Sequence, residues 1–187
     1  MDRRQTLRFL ASVPAGMLSA CKSGNTAPAQ HAVARQPTWS PRLFSIERAL
    51  VVEDAVERLI PETDTPGAKS AGVAELIENL LLDTYEKEAR ERFLTGVDAL
   101  DADARQVHGR GFSDCSAAHQ TALLERLVAA LPPYNPEGPR GPEPFFLTLR
   151  ELTLVSFCNS RLGLTRVIGY EPAPGHYDGC GTSEARG

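Results

Sequence analysis

Apolar residues recur along this chain with the period of a helix, in runs separated by clusters of proline, glycine and small polar residues. The first run, Ile46, Leu50, Val52, Val56, Leu59 and Ile60, predicts a helix with Ser45 as N-cap and Glu47 in its first turn, where a carboxylate complements the helix dipole. That helix has to stop at Ile60. Pro61, Thr63, Asp64, Thr65, Pro66 and Gly67 crowd turn formers into seven positions, and each proline pushes the residue before it out of helical conformation. A second helix, roughly Ala71 to Asp83, follows Ser70 and carries Val73, Leu76, Ile77, Leu80 and Leu81 at helical spacing. Tyr85 to about Gly109 reads as a long, highly charged helix with a narrow stripe of Phe93, Leu94, Val97 and Leu100, broken by Gly109, Gly111 and Ser113. Ser116 caps a fourth helix with an apolar face of Leu123, Leu124, Leu127, Val128 and Leu131. Phe145 to Asn159 is apolar almost all round, which predicts a central buried helix, and Leu164 to Ile168 adds a short turn.

No strand pairing and no internal repeat is evident, so the expected fold is a single compact all-α domain of about five helices over residues 43–187. Between its fourth and fifth helices, Pro132 to Pro144 holds six prolines and two glycines in thirteen residues, a long surface loop. The tail YEPAPGHYDGCG, rich in proline and glycine, is expected to lie extended on a surface. Ahead of the domain, residues 22–42 are Ser, Gly, Asn, Thr, Ala, Pro and Gln without apolar periodicity, a flexible tether. Trp39, the only tryptophan, stands near its end between Pro37 and Pro41. It clips the tether to the domain or to a partner, or staples onto the first helix.

Residues 1–21 form a separate segment with the character of an export leader. Arg3 and Arg4 precede a weakly apolar run from Phe9 to Ala20 that is too short for a stable bilayer span. The pattern resembles a twin-arginine signal, with Thr6 where Phe is usual and Asp2 where Ser or Thr is usual. Leu18-Ser19-Ala20-Cys21 resembles a lipobox, in which the Cys21 thiol would carry diacylglycerol; ordinary cleavage nearby is the alternative. Cleavage at Cys21 removes Arg3, Arg4 and Arg8 with Asp2, which makes the net charge of −4 more negative by two. With no basic run interleaved with aromatics, nucleic acid is not an expected partner. At 42% hydrophobic and 24% charged, the 187 residues fit one domain with its own core.

The chain carries few candidates for chemistry of its own. Thr65-Pro66-Gly67-Ala68-Lys69-Ser70 invites comparison with a phosphate loop, but that motif needs lysine directly after its second glycine and a preceding strand. Cys115 and His119 stand four apart, without the further ligands a metal site requires, and His31, His108 and His176 are scattered. No glycine fingerprint for flavin or nicotinamide and no nucleophile elbow is present. No catalytic, cofactor-binding or metal-ligating residue is therefore assigned. With Cys21 lipidated, Cys115, Cys158 and Cys180 remain, an odd number. Cys180 pairs with Cys158 or with a partner chain, and Cys115 is most simply a half-buried thiol.

Several of these features occur in one order. The leader with Arg3-Arg4 is followed by Ile60-Pro61 with Asp64-Thr65-Pro66-Gly67-Ala68-Lys69 and Ala71-Gly72-Val73, then Arg150-Glu151-Leu152-Thr153, then Gly169-Tyr170 with Pro174-Gly175-His176-Tyr177-Asp178-Gly179-Cys180. Together they resemble the gluconate 2-dehydrogenase subunit 3 family, over about Phe44 to Cys180. The resemblance implies a non-catalytic accessory subunit of a periplasmic or membrane-associated sugar or polyol dehydrogenase. It implies a large flavoprotein partner of the glucose-methanol-choline type that holds FAD, and often a cytochrome c subunit that takes the electrons. The small subunit would supply the export signal and aid maturation of the catalytic one. Trp39, Tyr134, Tyr170 and Tyr177 are candidates for contact with that partner, and Cys180 for a bond to it. The alternative is a stand-alone, lipid-anchored envelope protein that binds a ligand through the Pro132 to Pro144 loop.

Overall fold

The computed structural model describes residues 35–133 and 143–170. Arg3, Arg4, Cys21, Tyr134, Tyr177, Cys180, most of the proline loop and the tail after Tyr170 lie outside them. The described residues fold into five α-helices: α1 (Ile46–Leu59), α2 (Val73–Thr84), α3 (Lys87–His108), α4 (Ala117–Ala129) and α5 (Phe145–Asn159). A 3-10 turn, Phe112–Asp114, joins α3 to α4, and a π-helical turn, Gly163–Ile168, follows α5. Among the described residues there is no strand, so the all-α expectation holds. None of these helices is long and apolar enough to cross a membrane.

The boundaries follow from local chemistry. Ser45 Oγ accepts the Arg48 amide and Ser116 Oγ accepts the His119 amide, which caps α1 and α4 as the sequence predicts. The start of α2 differs: it begins at Val73 rather than Ala71. Gly72 takes a left-handed conformation, φ 68°, that a residue with a Cβ resists, and it turns the chain into the helix.

The helix with the longest buried run is α1, which packs against each of the other four, as α5 also does. Its residues Val51 to Val56 are consecutively buried, including Glu53 and Asp54. This corrects the expectation that α5 is the central buried helix. That helix buries Phe146, Leu149, Leu152, Thr153, Ser156 and Phe157, while Leu154 and Val155 are 49% and 44% exposed. Val128 of α4 and Ile46 of α1, both expected in apolar faces, are also exposed. On α3, Phe93, Val97 and Leu100 face inward as expected. Phe93 stacks between Phe44, at 6.3 Å, and Phe145, at 5.4 Å, which ties the two ends of the domain to its longest helix. Phe112, in what the sequence suggests is a mere break, is fully buried, a contribution on the order of 2–3 kcal/mol. Its amide donates to Asp101 at 2.7 Å, and its carbonyl accepts from Gln120 at 3.0 Å.

Candidate functional site

The corner between α1 and α2 is built by carboxylates of α1. Glu57 accepts the amides of Glu62 at 3.0 Å and Lys69 at 2.8 Å, one on each carboxylate oxygen, so it closes the loop from inside. The Ala68 amide donates to the Ile60 carbonyl at 2.8 Å, and the Val73 amide to that of Ala68 at 3.1 Å. Gly67 lies so close to this arrangement that a Cβ would stand 2.6 Å from the Glu62 nitrogen and 2.7 Å from a Glu57 oxygen. The Lys69 ammonium turns back onto α1, 3.0 Å from Glu53 and 3.6 Å from Asp54. Both polar ends of Lys69, amide and ammonium, are thus engaged by acids of α1. Asp64 stays on the exposed rim of the loop, beside a polar hollow bordered by Thr63, Thr65, Ser70 and Arg166.

A second set of acids holds the segment before α1. Residues Arg35 to Arg42, assigned by composition to the end of the tether, lie against the helices. Arg35 forms a two-pronged ion pair with Asp54 at 2.8 and 2.9 Å, and Thr38 donates to Glu53 at 3.3 Å. Trp39 is half-buried against the core, and its indole N–H donates to Glu78 of α2 at 3.0 Å. Of the roles open to Trp39, the clip to its own domain is therefore observed, onto α2 rather than α1. The other Glu78 oxygen accepts the amides of Arg42, Leu43 and Phe44 at 2.8–2.9 Å. Burial pushes the Glu78 carboxyl upward, but the amides of Phe44 and Leu43, the Trp39 indole and the Arg42 amide together outweigh it, leaving the group below the usual range. Nothing in the local sequence marks Glu78 as an anchor, since its partners stand 34 to 39 positions away.

The candidate histidine and cysteine chemistry does not assemble as the spacing suggests. Cys115 precedes the Ser116 cap, off the helix that carries His119. It is buried, and burial raises its thiol pKa. His119 instead stacks on His108 of α3, ring centres 4.0 Å apart and planes within 7°. No group of three or more potential ligands stands in position to hold a metal among the described residues. Desolvation lowers the His108 pKa, His119, Arg110 and Arg126 lower it further, and Asp103 opposes them. The folded state thus binds a proton at His108 less readily than the unfolded chain. Stability from this source is complete above about pH 6.5 and falls as the pH drops below that value. The melting midpoint of the wild type is expected to fall more between pH 7.5 and 5.5 than that of His108→Gln; equal falls in both would refute the assignment.

The remaining feature is an apolar face left open. Leu154 and Val155 project from α5, while Val167, Ile168 and Tyr170 are exposed in and just after the π-helical turn. Val155 also borders a groove of about 190 Å³ between α2 and α5, walled by Leu76 and Leu80. Ser156, whose hydroxyl has no partner among the described residues, borders the groove too. Cys158 is exposed one turn along α5 from Leu154 and Val155. Glu151, three and four positions before Leu154 and Val155 and so on the same helix face, is the charged neighbour in the sequence that could have signalled this exposure. Of the four candidate partner residues, Tyr170 is exposed, Trp39 is engaged within the chain, and Tyr134 and Tyr177 lie outside the described residues.

Comparison with curated proteins gave no match, and neither did comparison with solved structures. A family model described as gluconate 2-dehydrogenase subunit 3 matches residues 46–175, from the first turn of α1 to beyond the π-helical turn. The match takes in the α1–α2 corner with its Glu57 and Lys69 staples and all five helices. The chain belongs to the gluconate 2-dehydrogenase subunit 3 family, whose name makes it one subunit of a multi-subunit dehydrogenase.

Proposed function

We propose that this chain is the non-catalytic small subunit of a periplasmic sugar or polyol dehydrogenase, and that it docks on a flavoprotein of the glucose-methanol-choline type through the open face of α5 and the π-helical turn. The observation that carries this reading is the set of large apolar side chains there, Leu154, Val155, Val167 and Ile168, each between 44% and 54% exposed. Single exposed apolar residues are ordinary on any surface. Several on one helix and the turn that follows, beside an apolar groove, are what a subunit interface leaves when its partner is removed. FAD and the catalytic groups belong to the partner in this reading, and a cytochrome c subunit receives the electrons. Arg3 and Arg4 direct export of the folded complex by the twin-arginine route, and Cys21 carries a lipid that holds the assembly at the membrane facing the periplasm.

Co-expression with a flavoprotein of the glucose-methanol-choline type from the same genome, followed by gentle purification from the envelope, tests the reading. A yellow complex with dye-linked sugar oxidation is the expected product. Leu154→Asp combined with Val155→Asp places two charges on the docking face, and is expected to cut co-purification by about tenfold or more with the far-ultraviolet spectrum unchanged. A colourless monomer from cells that also make the flavoprotein would overturn the assignment, and full retention of the doubly substituted chain would move the interface elsewhere.

A further inference from the structure

Arg35 to Phe44 has no helix of its own, and among the described residues no backbone-to-backbone hydrogen bond joins it to the rest of the domain. It is held by side chains of two helices that follow it in sequence. Asp54 and Glu53 of α1 take Arg35 and Thr38, and Glu78 of α2 takes Trp39 and three consecutive amides. Arg35 also reaches the Ser113 carbonyl at 3.2 Å, and Arg42 bonds the side chain of Asn79. Only the last residue of the segment, Phe44, is fully buried, where it packs on Phe93. The receiving acids exist in this geometry only once α1 and α2 are packed together.

We infer that residues 35–43 form a clasp that closes on the assembled α1–α2 pair and opens as a unit, hinged at Phe44, while the helical bundle stays folded. Closed, the clasp holds Arg35 beside the 3-10 turn, where it reaches the Ser113 carbonyl. Open, residues 35–43 come free of the bundle as far as Phe44, up to about 30 Å of extended chain. The bonds of the clasp concentrate on Glu78, so that carboxylate is the lock. Opening uncovers Trp39 and Leu43, which are only partly buried against the core, and leaves the buried core residues in place, so it costs less than global unfolding.

Trypsin supplies a direct readout on the full-length chain, because the clasp contains the Arg42–Leu43 bond while Arg90 and Arg92 lie within α3. Cleavage after Arg42 is expected to rise only shallowly with urea, in proportion to the small area of Trp39 and Leu43 uncovered, whereas cleavage after Arg92 climbs steeply, as global unfolding requires. Glu78→Gln keeps the size of the side chain but sets an amide group against one of the donors. It is expected to raise the Arg42 rate about tenfold, the equivalent of one lost charge-assisted hydrogen bond. Trp39→Phe, which removes the indole donor alone, is expected to act in the same direction and decides the matter should Glu78→Gln fail to fold. Equal urea dependence at Arg42 and Arg92 would show that the segment opens only with the bundle. An unchanged Arg42 rate in a folded variant would show that Glu78 is not the lock. Either result overturns the inference.

Discussion

Lys69→Met is expected to lower the unfolding free energy by about 3 kcal/mol, which for a chain of this size is a fall of about 6–12 °C in melting midpoint. The substitution keeps the length of the side chain and the Lys69 amide bond to Glu57, and removes only the ammonium. That ammonium sits 3.0 Å from Glu53, whose side chain is 3% exposed, and 3.6 Å from Asp54. Asp54 retains the Arg35 guanidinium, but Glu53 is left with the Thr38 hydroxyl at 3.3 Å as its remaining donor. Breaking a buried pair from one side costs about 3–5 kcal/mol because the surviving charge keeps its desolvation penalty. The lower end applies here, since the Lys69 side chain is itself about a third exposed and water shares its charge. Replacing both members reverses the logic. Lys69→Met combined with Glu53→Met buries no charge and is expected to recover most of the loss, as measured by urea denaturation of the wild type and both variants. A double variant no more stable than the single one would show that Lys69 acts otherwise than by neutralising Glu53.

The same residues explain which parts of the fold were legible in the sequence. Helix positions were readable because caps and breakers act locally: Ser45, Ser116 and the Pro61 to Gly67 cluster need only their immediate neighbours to specify where a helix starts or stops. The all-α architecture followed from these, while the family resemblance rested on ordered motifs from Arg3-Arg4 through the Ile60-Pro61 corner and Arg150-Glu151-Leu152-Thr153 to the tail. Which helix lies at the centre was not readable, because burial depends on partners supplied from far along the chain. α1 carries Glu53, Asp54 and Glu57, so its composition suggests a surface helix, yet each acid is met inside the domain by Lys69, Arg35 or loop amides. α5 suggests the opposite. Its apolar residues outnumber the positions the core can cover, and the surplus at Leu154 and Val155 faces outward. Leu154 and Val155, continued by Val167 and Ile168, are the grouped apolar residues from which a docking face is proposed. The candidate surface was therefore hidden by the feature that made α5 look buried.

The junction between α5 and the π-helical turn is where stability and the proposed docking face meet, and Gly163→Ala is the substitution expected to damage both. After α5 the chain folds back on its own last turn. Ser160 donates its amide, at 3.1 Å, and its hydroxyl, at 2.7 Å, to the Phe157 carbonyl, and the Gly163 amide returns to the Ser160 hydroxyl at 2.9 Å. Gly163 closes over that carbonyl so tightly that a Cβ would stand 1.9 Å from its oxygen. The clash is with backbone rather than with a flexible side-chain tip, so it can be relieved only by pulling the turn off the helix. A cost of about 3 kcal/mol is expected, the upper end for an overpacked site, with a fall of about 6–12 °C in melting midpoint. Gly169→Ala provides the contrast: that residue needs φ 70° but faces open space, so the expected cost is only about 1 kcal/mol of backbone strain. Because the turn carries Val167 and Ile168, Gly163→Ala is also expected to lower co-purification with the flavoprotein at temperatures where the bundle remains folded, whereas Gly169→Ala leaves it closer to wild type. Wild-type stability in Gly163→Ala would show that the end of α5 has slack, and a stable turn with undiminished co-purification would remove it from the docking face.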